Sequence, residues 1–321
     1  MHWTYGLSNP KKVITHGDMD PWLEEEAHNP PCLRHVCVYL VGPEEWNPEA
    51  GYSPSDLRES FLANDLAWLA ERMRRMLLLD SKGVMINPAR AALHQVDVLE
   101  QGLLSYFTIP PGSAPLREDG NPRTACYFVS GIVAKSMLRQ PASRGEGTLL
   151  RSSDHRINIW GLRHEFQRAL AYLGAVSHQT NLVYDSFLGE CLVFQTRPEG
   201  SSNVLGSSIW EDKPKVYFQG SVDPIDGAEY FASYDFPNGL TFDTEANVTP
   251  QVPVYDATYP SFEVGENVWE DVKKLPRHIG EVSTEAVVTV AYTAELVYCP
   301  FAIPPSRKVE LYVQFVIIHK M

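Results

Sequence analysis

The sequence has no uninterrupted apolar run of the ~18–20 residues that a bilayer-spanning helix requires, so no helical membrane anchor is expected. It also lacks positive charge: 27 Lys and Arg face 40 Asp and Glu, for a net of −13. Binding to phosphates is driven by Lys and Arg, so direct wrapping of nucleic acid is disfavoured. The acidity is uneven, −9 over residues 201–321 against −4 over 1–200. Acidic surfaces suit solubility, divalent cations or basic partners. Cysteine is scarce and odd in number: Cys32, Cys37, Cys126, Cys191 and Cys299 sit mostly in apolar, strand-like runs. That excludes a dense disulfide framework and predicts reduced, buried thiols of a cytosolic-type compartment.

Catalytic signatures are missing as well. Gly145-Glu146-Gly147 belongs to neither phosphate-binding pattern, Gly-x-x-x-x-Gly-Lys or Gly-x-Gly-x-x-Gly. Asp154-His155 and Arg163-His164-Glu165 resemble acid/base pairs, yet no Gly-x-Ser-x-Gly elbow supplies a nucleophile for them. Adjacent residues also point different ways, so a solvated polar face is the expectation there. Met1-His2-Trp3-Thr4-Tyr5 lacks the basic-then-apolar pattern of a secretory leader, and none is expected. No internal repeat or low-complexity tract is found.

What is present reads as a β-rich protein. Hydrophobic content of 44% and charged content of 21% are ordinary for a globular chain, and 321 residues allow one large domain or two. The 24 prolines and 11% aromatics lean towards strands and turns. Leu33 to Val41 and Tyr127 to Ala134 read as strands. Ser53-Pro54-Ser55-Asp56 opens a helix with a cap, a proline at the first position and a carboxylate three residues on. Leu57, Phe61, Leu62, Leu66, Leu69, Met73 and Met76 follow at helical spacing. Asn87-Pro88 is read as the start of a second helix, with Ala89, Leu93, Val96, Leu99 and Leu103 on one face. A third covers Leu162 to Leu173, with Gly174 as its C-cap.

Beyond Gly174 strands dominate: Leu182 to Thr196, Lys215 to Gln219, Glu229 to Tyr234, Val252 to Tyr255, Glu285 to Tyr298 and Lys308 to His319. Val309, Leu311, Val313, Phe315 and Ile317 alternate with Glu310, Tyr312 and Gln314. Val288, Val290, Tyr292, Ala294 and Leu296 likewise alternate with Thr289, Thr293 and Glu295. The period of two predicts one apolar and one polar face on each strand. The expected fold is mainly β with a helical N-terminal segment (α+β), its strands paired as an antiparallel β-sandwich of jelly-roll type. The expected division is a mixed segment, 1–157, with helices at about 54–79 and 88–105, and a β-sandwich, 158–321.

Candidate ligands are few. His16-Gly17-Asp18-x-Asp20 and Asp223-Pro224-Ile225-Asp226-Gly227 set carboxylates close together. Asp18, Asp20, Asp223 and Asp226 are therefore the candidates for a cation such as calcium, although the same residues build ordinary turns. Cys32-x-x-His35-x-Cys37, with His16 and His28 upstream, lacks the second half of a zinc site. No catalytic and no cofactor-binding residue is assigned. Arg139, Arg144, Arg151, Arg156, Arg163 and Arg168 form the one mildly basic stretch. An inner-surface contact to nucleic acid and salt bridges between subunits both suit it.

The order of the late elements carries a resemblance. "LVYDSFLGECLVFQT" (Leu182 to Thr196), "VPVYDATYPSFEV" (Val252 to Val264), "CPFAIPPSRK" and the terminal "VELYVQFVIIHKM" are similar to the closing half of the single jelly roll in small icosahedral virus capsid proteins, of the picornavirus-like or small-DNA-virus kind. The resemblance covers about residues 158–321, while the helical segment 53–105 and the missing basic arm depart from it. It implies a structural coat protein, not an enzyme, that self-assembles into an icosahedral shell. Its partners would be itself in a symmetric homo-oligomer or other capsid subunits, and a host receptor that stays unspecified. It would reside in the virion after assembly in the host cytoplasm or nucleus. The other reading is a carbohydrate- or receptor-binding β-sandwich, for which Trp210, Tyr217, Tyr230 and Tyr234 would supply aromatics.

Overall fold

The longest alternating segment of the sequence forms the longest strand of the computed structural model, β13 (Ser306–Lys320). The structure describes residues 12–15, 20–24, 37–41, 51–79, 85–101, 104–110, 112–113, 124–139, 155–179, 181–184, 186–187, 191–195, 252–263, 265, 271–299 and 306–321. Lys215 to Gln219 and Glu229 to Tyr234, expected as strands, lie outside the described residues.

The expectation of a mainly β protein with few helices is met. Strands β1 (Lys12–Thr15), β2 (Cys37–Val41), β3 (Met85–Ile86), β4 (Asp97–Gln101), β5 (Leu104–Thr108), β6 (Cys126–Met137) and β7 (Arg156–Gly161) are followed by β8 (Asn181–Tyr184), β9 (Ser186–Phe187), β10 (Cys191–Gln195), β11 (Val254–Asp256), β12 (Val287–Cys299) and β13. They form one sheet, and β13, β10, β7, β6 and β12 pair in a closed ring because β12 also pairs with β13. The ring draws strands from both sides of residue 157.

The pairings depart from the antiparallel jelly-roll sandwich expected. β13 runs parallel to β8, β10 and β11, β2 runs parallel to β8, and β3 parallel to β6. The sheet is thus mixed, and part of it closes into a five-stranded barrel. Alternation along a strand says which side chains share a face but not which strand lies next to it, so parallel neighbours and closure were not legible.

The helices differ from expectation in three places. The helix expected over 54–79 is two, α2 (Pro54–Ala63) and α3 (Ala67–Leu77), behind a one-turn α1 (Pro21–Glu24). Ser53 and Asp56 make the anticipated reciprocal cap of α2. Asn64 and Leu66 donate their amides to Phe61 O, and Asp65 takes φ 57°, a left-handed conformation that short polar residues tolerate, so the first helix stops there. No helix forms over 88–105. Asn87 uses its side chain to bond Leu77 O, Leu79 O and Ala89 N, which makes Asn87-Pro88 a turn. A single 3-10 turn (Leu93–Gln95) follows, then the hairpin β4–β5, recruited by the pairing of β5 with β12. The helix expected at Leu162 is α4 (Glu165–Val176), and Gly174 lies within it rather than capping it.

Tyr127, Val129, Ile157, Ile159, Phe194, Val288, Val290, Tyr292 and Val309 form the main core together with Leu170, Tyr172 and Leu173 of α4. Aromatic rings meet within it, Tyr292 lying 5.6 Å from Tyr127 and 5.0 Å from Phe194. The opposite face of the same strands is covered too. Leu57, Phe61, Leu69 and Met73 of α2 and α3 pack on Ile132 and Val287. Met76, Tyr255, Ala257 and Val272 pack on Cys126, Ala291, Phe315 and Ile317. A barrel strand roofed by helices is buried on both faces, and that decides where the polar residues end up.

Candidate functional site

Polar side chains of β12 and β13 are buried: Thr289, Thr293, Glu295, Gln314 and His319 are each no more than 1% exposed. Two groups of hydrogen-bonded side chains result, and they are the chemistry-bearing region among the described residues.

The first group crosses β6, β12 and β13, Ser130 and Thr289 as direct cross-strand partners and His319 on the diagonal, since Thr289 pairs with Ile317. Ser130 Oγ and Thr289 Oγ1 are hydrogen-bonded at 2.8 Å, and Thr289 Oγ1 and His319 Nε2 at 2.8 Å. Burial, and then the nearby Arg72 cation, push the His319 imidazole down to about 3, so it is neutral at pH 7. Its Nδ1 meets no partner among the described residues. Ser130 also lines a cleft with Met76, Leu77, Asn87 and Glu165 that is about the size of one water molecule. Activating a serine needs the base in direct contact and an open approach for substrate. Here Thr289 stands between the imidazole and Ser130, and the approach is water-sized, so the row is suited to holding a proton or a water.

Around this row lie three buried arginines. Arg72 of α3 donates to the carbonyls of Ala257, Tyr259 and Phe262, and its guanidinium sits 4.8 Å from the Trp68 ring and 5.2 Å from the Phe262 ring. Burial pushes its pKa down to about 10. Arg90 Nη2 donates to Glu165 Oε1 at 2.7 Å, and Arg168 Nε donates to Ala89 O at 2.9 Å. Five-donor guanidinium groups are thus used as backbone brackets, a task the planar fork performs and a lysine would not.

The second group lies further along the same strands. Glu295 and Glu310 are direct cross-strand partners, which brings two carboxylates to within about 5 Å at Cβ. Lys308 Nζ donates to Glu310 Oε1 at 3.2 Å, and the Tyr312 hydroxyl donates to Glu310 Oε2. Gln314 Nε2 donates to Thr293 Oγ1 and to Tyr312 O. A lysine and a tyrosine hydroxyl thus compensate the partly exposed Glu310 carboxylate.

Comparison with protein families, with curated proteins and with solved structures finds no match. The site is therefore read from its geometry alone.

Of the four cation candidates, Asp18, Asp223 and Asp226 lie outside the described residues. Asp20 is buried and occupied otherwise: Oδ1 accepts from Trp22 N at 3.0 Å and from Ser55 Oγ at 2.5 Å, and Oδ2 from Ser55 N at 3.2 Å. Its carboxylate ties α1 to the start of α2. Among the described residues no three His, Cys, Asp or Glu converge as a metal site. Cys32 and His35 lie outside the described residues, as do Trp210, Tyr217, Tyr230 and Tyr234. Cys126 is buried, and burial raises its thiol pKa. No helix among the described residues is long and apolar enough to cross a membrane.

The basic stretch is largely spent inside. Arg139 donates to the carbonyls of Val252, His278 and Ile279, and Arg163 donates to Gly51 O. Arg156 and Arg168 are buried, and Arg144 and Arg151 lie outside the described residues. The acid/base pairs separate as well. His155 Nδ1 bonds Leu138 O at 2.9 Å, while Glu165 turns inward to Arg90 and His164 caps α4 at φ 67°.

Ser130, Thr289, His319, Arg72 and Arg90 were not singled out from the sequence. The signal was present for Thr289 alone, in its alternation on β12. A polar residue facing away from one core reads as solvated until a second layer is seen to cover it.

Proposed function

We propose that the chain is a structural subunit, a coat-type protein that self-assembles into an icosahedral viral shell. What supports assembly is the β wall and its edge rather than jelly-roll connectivity. The single observation that carries it is β4, which stands at one end of the sheet and exposes Leu99 by 42%. Among the described residues β4 pairs only with β5, so its far side offers a row of backbone donors and acceptors to another chain. Its sequence Asp97-Val98-Leu99-Glu100-Gln101 is compatible with an antiparallel copy of itself centred on Leu99, since Asp97 then faces Gln101 and Glu100 faces Val98. The jelly-roll sandwich and a cation at acidic turns between subunits, with Asp18, Asp223 and Asp226 as ligands, belong to the same proposal. So does the residence in the virion.

The test is to express the whole chain and look for closed particles by negative-stain microscopy and sedimentation, with and without a chelator. Closed particles that are lost in Leu99→Arg would carry the reading. A stable monomer at high concentration in every condition would end it, and glycan-dependent binding by that monomer would replace it with a binding module.

A further inference from the structure

His319 is the penultimate residue of β13, and its surroundings favour the neutral ring. It is wholly buried between the barrel and the helical layer, with one ring nitrogen on Thr289 and the other without a partner among the described residues. The groups facing it can be named element by element. β12 and β6 present the hydroxyls of Thr289 and Ser130, and α3 presents the Arg72 guanidinium. Arg72 is itself turned to the carbonyls of Ala257, Tyr259 and Phe262, and the same segment bonds β13 through Ala257 N to Ile318 O at 2.8 Å. Asp256 pairs in register with Ile318 and so falls on the other face of the sheet. The neighbouring Lys320 ammonium lies over the Phe61 ring at 5.8 Å, a further cation rather than a counter-charge.

We infer that His319 and Arg72 form an acid-sensitive latch: when His319 takes up a proton, α3 and the 257–262 segment loosen from the outer face of the barrel. A protonated imidazole would place a second cation beside Arg72 in a region without water, with hydroxyls and carbonyls already engaged. Like charges that share a dry region repel more strongly than they do in water. Relief comes from parting the elements that carry the two cations, not from moving either side chain within them.

The sign follows from linkage. The folded imidazole binds its proton at about 3 and the unfolded one near 6.5, so the closed state is fully favoured above about 6.5 and loses ground as pH falls. The opening constant of the latch rises about tenfold per pH unit below 6.5, or roughly 100-fold by pH 4.5. The inference does not depend on the shell reading, because it concerns a single chain.

The experiment is hydrogen exchange on the full chain between pH 7 and pH 4.5, corrected for intrinsic rates. Amides of α3 and of residues 257–262 should gain exchange on acidification in the native chain and lose most of that gain in His319→Gln, which keeps a hydrogen-bonding group for Thr289 but cannot charge. Equal acid dependence in both would overturn the latch. Should His319→Gln not fold, the imidazole nitrogen shifts of the native chain decide. A ring that stays neutral at pH 5 in the closed form supports the latch, and one that titrates near 6.5 with unchanged exchange refutes it.

Discussion

Arg90 and Glu165, 75 residues apart in the chain, meet at 2.7 Å with side chains only 2% and 4% exposed. The pair links the turn after Asn87 to the first turn of α4, across the cleft that Ser130 lines. A buried ion pair is strongly destabilising to break from one side, because the remaining charge has neither water nor partner. Glu165→Gln or Arg90→Met should therefore each cost about 3–5 kcal/mol. The double replacement with Met at both positions should recover much of that loss. Urea denaturation of the three variants measures it, and additive losses would show that the two residues act separately.

Arg72 of α3 holds three carbonyls of the segment after β11, and an exposed Arg75–Glu263 pair at 3.8 Å is a weaker link to its end. Arg72→Lys retains charge but neither the fork nor the stacking on Trp68 and Phe262, so it should not rescue the site. Both Arg72→Lys and Arg72→Met should lose about 3 kcal/mol, given 1.5–3 kcal/mol for a hydrogen bond to a charged group and imperfect additivity. Limited proteolysis should locate the new cleavage within 252–263, and cleavage elsewhere first would contradict the assignment.

Gly131 is where β6 comes closest to β7. A methyl group there would collide with the Trp160 carbonyl oxygen and crowd Ile159 at 3.0 Å. Strand backbone cannot swing aside as a flexible side chain can, so Gly131→Ala should open the barrel seam at a cost of about 1–3 kcal/mol. Thermal unfolding is the measurement. A neutral effect would mean that the seam is looser than its register implies.

The cap of α2 supplies a second pH dependence, of the same sign as that of His319 but set at lower pH. Hydrogen bonds with the Ser53 side chain first, and its backbone second, hold the Asp56 carboxyl below the usual carboxylate range. A depressed carboxyl stabilises above the unfolded value near 3.9 and loses that contribution as pH falls through its folded value. Asp56→Asn should therefore cost a few tenths to 1 kcal/mol at pH 7 and nothing near pH 2. A difference from the native chain that persists at low pH would show that the amide fails for another reason.

Much of the local structure was legible. The cap at Ser53, the strands at 126–137 and 287–299 and the terminal strand are properties of short-range spacing, and they stand within a few residues of expectation. The region over 88–105 was misread because Ala89, Leu93 and Val96 recur at helical intervals while the pairing that recruits β5 lies some 190 residues away on β12. The candidate site was hidden for a related reason. Thr289, Thr293, Glu295 and Gln314 have the residue types of a wetted face, and nothing in a neighbouring stretch of chain says that they will be buried.

The chain's own pattern was enough to determine that it would be mainly β, where its best strands run and which side chains share a face. Those are consequences of the two-residue period of an extended backbone and of local capping chemistry. Which strands are neighbours, that five of them close, and that the second face is dry were decided only by tertiary structure. Closure satisfies the backbone of strands far apart in sequence, and once a helical layer excludes water from the outer face, polar residues there must bond each other. The row from Ser130 to His319 exists for that reason.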